Sequence, residues 1–266
     1  MTDGSLIAVS TEGPVATVTL IRPALTAPLK AGLRDAVETL GRDPEVRAVV
    51  LTGTGRAFCV GQDLAEHAAT LEADPEHAFD TLGEHYHPIV QALATMPKPV
   101  IAAVNGSCAG AGLGIALACD LRIAAEGARF ATAFTGIGLT CDSGLSASLV
   151  RAVGAARAAE LVLLGEPFTA GQAAEWGLVT RVVPAGELAA AAAELAARLA
   201  AGPTLAFAEA KRAIAAAANP PLTEILALEA AAQARLGRTA DHRDAVRAFL
   251  DKRRPEFTGR ADQLQS

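Results

Sequence analysis

The stretch KPVIAAVNGSCAGAGLGIALACDLRIAAEGARF (98–130) decides the fold. It opens on a continuous apolar run, Pro99–Val104, of the kind a strand carries when both of its faces are buried. A glycine-rich turn follows at once, Asn105-Gly106-Ser107-Cys108-Ala109-Gly110-Ala111-Gly112-Leu113-Gly114. Residues 111–118 then predict a short helix and 120–124 a further strand. Strand, tight turn, helix and strand in this order predict a right-handed β-α-β crossover.

The same order precedes it. Val46–Leu51 reads as another buried strand and runs into a second glycine turn, Arg56-Ala57-Phe58-Cys59-Val60-Gly61-Gln62-Asp63. Upstream, Leu29, Leu33, Ala36, Val37 and Leu40 recur at helical spacing from Pro28 onward. Residues 6–9 and 15–20 read as short strands joined by the turn Glu12-Gly13-Pro14. A polar helical stretch covers about 64–95. From 143 the pattern is mostly helical, with one strand at 179–183 and alanine-rich helices near 187–201, 204–218, 221–236 and 240–251. The tail therefore reads as a helical subdomain. No repeat of fixed period is present, and Ala189–Ala197 keeps Glu194, Leu195 and Arg198 in helical register. The fold class is α/β.

Composition limits the partners. A formal net charge of −6 over 266 residues argues against a broad basic footprint for nucleic acid or an anionic membrane. Lys252, Arg253 and Arg254 form the one local basic run, which by itself reads as a solvated face. Cys59, Cys108, Cys119 and Cys141 form no CxxC pair and no metal-finger spacing, so free thiols in a reducing compartment are expected. The start MTDGSLIAVS has no basic n-region or apolar h-region, and no stretch has the character of a spanning helix. A cytoplasmic protein, with no membrane partner, is the expectation.

The two glycine turns are where chemistry could sit. Glycine lets backbone approach another group closely. The second turn also leads into a helix, whose first N–H groups have no intrahelical partner and can receive an oxyanion. Tight packing is the bland reading of one such turn; two after successive core strands favour a site. A dinucleotide site fails on spacing, because Ile115 stands where a third glycine is needed and no acidic residue is placed for a ribose.

AFCVGQDL (57–64) and the stretch 98–130 resemble the two signature regions of the crotonase, or enoyl-CoA hydratase/isomerase, superfamily, and the resemblance runs from about Ile7 to Gly259. It implies a crotonase-like spiral of β-β-α units over 1–200 and a C-terminal helical trimerisation region over 201–266, giving a homotrimer or a dimer of trimers. It implies acyl-CoA as the small-molecule partner, with CoA entering as part of the thioester, so that no resident cofactor and no metal is expected. Carried over by position, the backbone N–H groups of Gln62 and Ala111 would hold the thioester oxygen. Ala57, Phe58, Gly61, Asp63, Leu64 and Gly110 would line the CoA and acyl path, and Phe249 and Lys252 would hold the nucleotide, often across a subunit boundary. Without the family, those last two read as a core aromatic and a surface lysine.

The hydratases of the family carry two glutamates; here those positions are Gly114 and Phe134. Water addition then lacks its usual acid/base pair. Asp142, in TAFTGIGLTCDSGL (132–145), lies in the stretch where isomerases and dehalogenases of the family carry a catalytic aspartate. Its bland role is a helix N-cap beside Ser143, which would depress its pKa and favour the ionised base. That segment, together with FCVGQDL, AEWGLV (174–179) and AFLDKRRPEFTG (248–259), resembles the family's isomerases of 1,2-epoxyphenylacetyl-CoA. Cys141 in place of a common proline and Thr26 in place of an asparagine depart from that pattern. An acyl-CoA isomerase acting on 1,2-epoxyphenylacetyl-CoA or a 3-enoyl-CoA is the expectation; the alternatives are a hydratase of low activity and a non-catalytic acyl-CoA-binding protein. Cys141 as a nucleophile and a His85–His87 metal pair are both weaker than packing, since no histidine lies near Cys141 in sequence and two-residue spacing splits imidazoles between helix faces. Trp176 and Tyr86 read as core or pocket wall.

Overall fold

The computed structural model describes residues 6–217 and 221–260; residues 1–5, Ala218 at the end of an expected tail helix and residues 261–266 lie outside them. The chain opens with an antiparallel hairpin, β1 (Ile7–Glu12) and β2 (Val15–Leu20), then a short β3 (Ala24–Leu25) and helix α1 (Ala27–Arg42). β4 (Ala48–Gly53) turns sharply into β5 (Ala57–Cys59), β6 (Gly61–Gln62) and α2 (Leu64–Ala73). A π-helical turn at Leu82–Tyr86 runs into α3 (His87–Thr95). The order repeats with β7 (Val100–Val104), β8 (Ser107–Ala109) and α4 (Ala111–Ala118), and again with β9 (Leu121–Ala125), β10 (Arg129–Ala131) and α5 (Leu145–Leu164).

Each repeat sends its first strand to a six-stranded sheet of order β1-β2-β4-β7-β9-β12 and its second to a smaller sheet of order β11-β10-β8-β5. Here β11 is Phe168–Thr169, followed by α6 (Ala170–Glu175), and β12 is Arg181–Val183. From β2 to β12 the large sheet is parallel. This is the expected spiral of β-β-α units. One face of the large sheet packs with α1, α3 and α4 in the main core, and the other lies under α7 (Leu188–Ala200) through Ala192, Ala196 and Ala200. Burial on both faces explains why Val100–Val104 is apolar throughout. The tail comprises α8 (Thr204–Ala216), α9 (Leu222–Leu236) and α10 (Ala240–Leu250). Arg47 ties it back, donating to Thr204 Oγ1 at 3.0 Å, Gly202 O at 2.7 Å and Phe257 O at 2.7 Å. Among the described residues no helix is long and apolar enough to cross a membrane.

One expectation is corrected and one feature is new. The helical stretch over 64–95 is broken, because Asp74 precedes Pro75 and adopts φ −153°, ψ 78°, outside the helical region that a following proline disfavours. The second sheet escapes the sequence reading altogether: its strands are two or three residues long, too short for an alternating pattern to register.

The start of α1 carries a defect. Thr26 occupies the N-cap position without a side-chain bond, and its Oγ1 is buried with no partner. Pro28 supplies no N–H to meet it, and the Ala27 N–H goes instead to the Glu66 carboxylate at 2.9 and 3.1 Å. Thr26→Val removes the orphan hydroxyl at nearly constant shape and is expected to raise stability by about 1 kcal/mol. A higher urea midpoint at unchanged slope is the expected reading; a comparable loss would show that the hydroxyl is in use.

Candidate active site

The two glycine turns meet. Gly110, with φ 56° and ψ −130°, ends β8 and presents Ala111 as the first residue of α4. A Cβ built on Gly61, itself at φ 86°, would stand 3.2 Å from the Ala111 nitrogen, so the Gly61–Gln62 backbone passes directly beside the helix start. Between them opens a cavity of about 330 Å³. Gly61, Gln62, Asp63, Leu64, Gly110, Ala111 and Asp142 all line it. Phe134, Ile137, Leu139, Phe79 and Leu82 make the rest of the wall largely apolar.

The other expected positions lie elsewhere. Ala57 sits in β5 opposite Ser107, and Phe58 is fully buried in the core. Phe249 is 83 % exposed on α10, and Lys252 follows it on the surface. Asp63 lines the cavity, but its Oδ1 accepts from the N–H groups of Ala65 at 3.1 Å and Glu66 at 3.0 Å, capping α2.

Asp142 reaches the cavity from a loop held in an unusual conformation. Ser143 and Gly144 both have positive φ, 51° and 67°, which turns the chain sharply before α5. The Ser143 hydroxyl donates to Asp142 Oδ1 at 2.8 Å. The N-cap of α5 is Gly144, and Asp142 contributes only its carbonyl, to the Leu145 N–H at 2.9 Å. The expected lowering of the Asp142 pKa is therefore corrected. Burial raises it above the ordinary carboxylate value, and the Ser143 hydrogen bond, His87 and Lys30 only partly oppose this.

Lys30 is the residue the sequence reading missed. It lies on α1, 1 % exposed, and its Nζ donates to Thr81 Oγ1 at 2.6 Å and Gln62 Oε1 at 3.0 Å. Glu66 Oε1 stands 3.9 Å away, and the ammonium sits 5.3 Å from the centre of the Tyr86 ring. Burial lowers its pKa, with Glu66, Asp142 and Glu84 pulling the other way. The signal was present: Lys30, Leu33 and Val37 share one helical stripe, and all three are buried. Tyr86 is likewise buried and donates its hydroxyl to Gln62 Oε1 at 2.5 Å.

The set-aside candidates behave as packing. Cys141 is half-buried and its thiol is pushed up by burial, away from the thiolate a nucleophile needs. His85 Nδ1 meets the Thr81 hydroxyl at 3.2 Å. Trp176 lies against Phe168 and under the Arg157 guanidinium, 4.6 Å from its ring centre, away from this cavity.

Gly114 is closed to any side chain. A Cβ there would meet Ser143 Cβ at 2.7 Å and Ser143 O at 2.9 Å. Glycine to alanine inside a helix ordinarily stabilises by about 0.5–1 kcal/mol. Gly114→Ala is expected to do the opposite, lowering stability by about 1–3 kcal/mol in urea unfolding, because the Ser143 loop must move. A stabilised variant would refute the close packing.

The raised Asp142 pKa has its own consequence for stability. The fold favours the protonated form, so this contribution is present at low pH and lost as pH rises through the folded-state pKa. Asp142→Asn is therefore expected to be more stable than the parent at neutral pH, with the gain vanishing below the ordinary aspartate range. Thermal unfolding of both proteins across pH reads this directly.

Comparisons with known proteins show the family. The enoyl-CoA hydratase/isomerase family profile matches residues 10–260. A protein of Rhodobacter capsulatus described as a probable enoyl-CoA hydratase is 46 % identical over 248 residues, covering 92 % of this chain and 95 % of that one. The 1,2-epoxyphenylacetyl-CoA isomerase of Escherichia coli is 43 % identical over 257 residues, covering 94 % and 97 %. A crystal structure from Mycobacterium abscessus superposes with a TM-score of 0.92 at 50 % identity, covering 96 % of this chain and all of that one. With a spiral of β-β-α units, two crossed glycine turns and matches over nearly its whole length, the chain belongs to the enoyl-CoA hydratase/isomerase family.

Proposed function

We propose that the chain is an acyl-CoA isomerase in which Asp142 shuttles a proton along an enolisable thioester held by the Gln62 and Ala111 N–H groups. The observation that carries this is the carboxylate inventory of the cavity wall. Its described lining holds two, Asp63 and Asp142, and Asp63 is committed to capping α2. The Asp142 carboxylate accepts one hydroxyl and is not tied to helix backbone, and one such carboxylate suits a proton transfer between two carbons of one substrate, whereas hydration in this family uses two. In a 3-enoyl-CoA, Asp142 would take the proton from the α carbon. The electron pair moves into the thioester, the two N–H groups receive the developing enolate oxygen, and the same carboxyl returns the proton to the γ carbon, leaving a 2-enoyl-CoA. Its raised pKa suits both halves of that exchange, since a group nearer neutrality accepts and releases a proton with less bias.

The 43 % relative extends the reading to 1,2-epoxyphenylacetyl-CoA, and the apolar wall of Phe79, Leu82 and Phe134 suits an aromatic acyl group. In this reading CoA enters with the substrate and no resident cofactor is needed. Exposed Leu222, Leu226, Val246, Phe249 and Leu250 favour association of copies through the tail, as a trimer or dimer of trimers in the cytoplasm, bringing Phe249 and Lys252 toward a neighbour's CoA. The relative described as a probable hydratase supports a second reading, slow water addition, which crotonyl-CoA hydration indifferent to Asp142→Asn would favour.

Asp142→Asn is expected to lower kcat for 3-enoyl-CoA isomerisation about 10²–10⁴-fold while analogue binding stays within a few-fold. The parent rate should fall as pH drops through a pKa above the ordinary carboxylate range, because only the ionised form is the base. An undiminished rate in the variant would sink the assignment.

A further inference from the structure

The Gln62 side chain is held in one orientation. Its Oε1 accepts both from Lys30 Nζ at 3.0 Å and from the Tyr86 hydroxyl at 2.5 Å. A lysine ammonium can only donate, so the oxygen end of the carboxamide must face Lys30 and the nitrogen end must face away. Among the described residues Gln62 Nε2 has no hydrogen-bond partner, although Gln62 lines the cavity. The ammonium itself is engaged elsewhere: it donates to Thr81 and Gln62, Glu66 Oε1 stands 3.9 Å away, and it does not line the cavity.

We propose that Lys30 and Tyr86 lock the Gln62 carboxamide so that its Nε2 donates to an acceptor oxygen on the acyl group, making oxygenated acyl thioesters preferred over hydrocarbon ones. Gln62 is then the specificity-determining contact, and Lys30 and Tyr86 are positioning residues. The physical case is the contrast with the surrounding wall. Beside Asp63, His67 and Asp142, none of which is hydrogen-bonded to Nε2, the wall is largely Phe79, Leu82, Phe134, Ile137 and Leu139, whose side chains offer no acceptor, so a purely hydrocarbon acyl group would strip water from the Nε2 donor and leave it unmet. An epoxide or hydroxyl oxygen on the acyl group satisfies it. A flexible glutamine could turn its oxygen to a donor instead, but the two bonds on Oε1 prevent that. Tyr86 and Lys30 thus convert an ambivalent amide into a donor. The inference rests on the proposed thioester site, since it takes the acyl group to lie in this cavity.

The test uses unreactive ligands, so that binding is read apart from turnover. Phenylacetyl-CoA and its 2-, 3- and 4-hydroxy derivatives are titrated calorimetrically against the full-length protein. The tightest hydroxy derivative is expected to bind about tenfold more tightly than phenylacetyl-CoA, the worth of one hydrogen bond to an otherwise unmet donor. In Gln62→Met, which keeps the backbone N–H, that ratio should fall to near one. In Tyr86→Phe and Lys30→Met it should fall in the same direction, and Tyr86→Phe serves alone if Lys30→Met does not fold. A parent ratio near one, or a tenfold ratio retained in Gln62→Met, overturns the inference while leaving the isomerase reading intact. Failure of every thioester to bind overturns the thioester reading and this inference with it.

Discussion

The structure depends on one close backbone crossing. At Gly112 a side-chain carbon would stand 2.2 Å from the Cys59 carbonyl oxygen, so only glycine allows α4 to seat against the preceding β-β turn. That contact stacks one turn of the spiral on the last. It sets the Gly61–Gln62 strand beside the start of α4, and therefore sets the spacing of the two N–H groups proposed to share an oxygen. The helix lends its positive end to the same point. Neither turn alone would build the cavity, because each supplies one wall.

Around that crossing the protein places a buried ammonium and a partly buried carboxyl. A buried ammonium without partners is penalised by several kcal/mol, and for Lys30 the contacts with Thr81, Gln62, Glu66 and the Tyr86 ring offset part of this, although burial still lowers its pKa. Asp142 is not similarly rescued: Ser143 gives it one hydrogen bond, while Lys30 and His87 act at longer range. The outcome is a fixed cation and a carboxyl left free to gain or lose its proton. Strain in the Ser143–Gly144 turn and packing of Ser143 on Gly114 hold that carboxyl in place. The glycine that replaces the expected hydratase glutamate is thus part of the support for the aspartate. Gly114 and Asp142 are mechanically linked through Ser143.

Away from the cavity the fold is tied by similar long reaches. Lys211 pairs with Asp120 at 2.7 Å and donates to Lys98 O at 3.0 Å, while Arg47 gathers carbonyls from both ends of the tail. These basic side chains satisfy chain-end carbonyls where strands and helices stop. They join the tail to the spiral without a large aromatic core, consistent with a sequence rich in alanine and poor in aromatics.

The sequence by itself determined the parallel sheet, the hairpin, the placement of α4 and most tail helices, because apolar runs, helical periodicity and glycine turns are local signals. It also singled out Gln62, Ala111 and Asp142, and the structure brings all three to one cavity. It did not show that Lys30 is buried, that Tyr86 grips Gln62, or that burial raises the Asp142 pKa. Each of these rests on residues far apart in the chain, such as Lys30 with Gln62 and Thr81. The short strands of the second sheet were equally hidden, since two or three residues carry no period. The stripe of Lys30, Leu33 and Val37 was a local hint of Lys30 burial, but only tertiary structure decided these points, because solvent exclusion and hydrogen-bond geometry are properties of the packed chain.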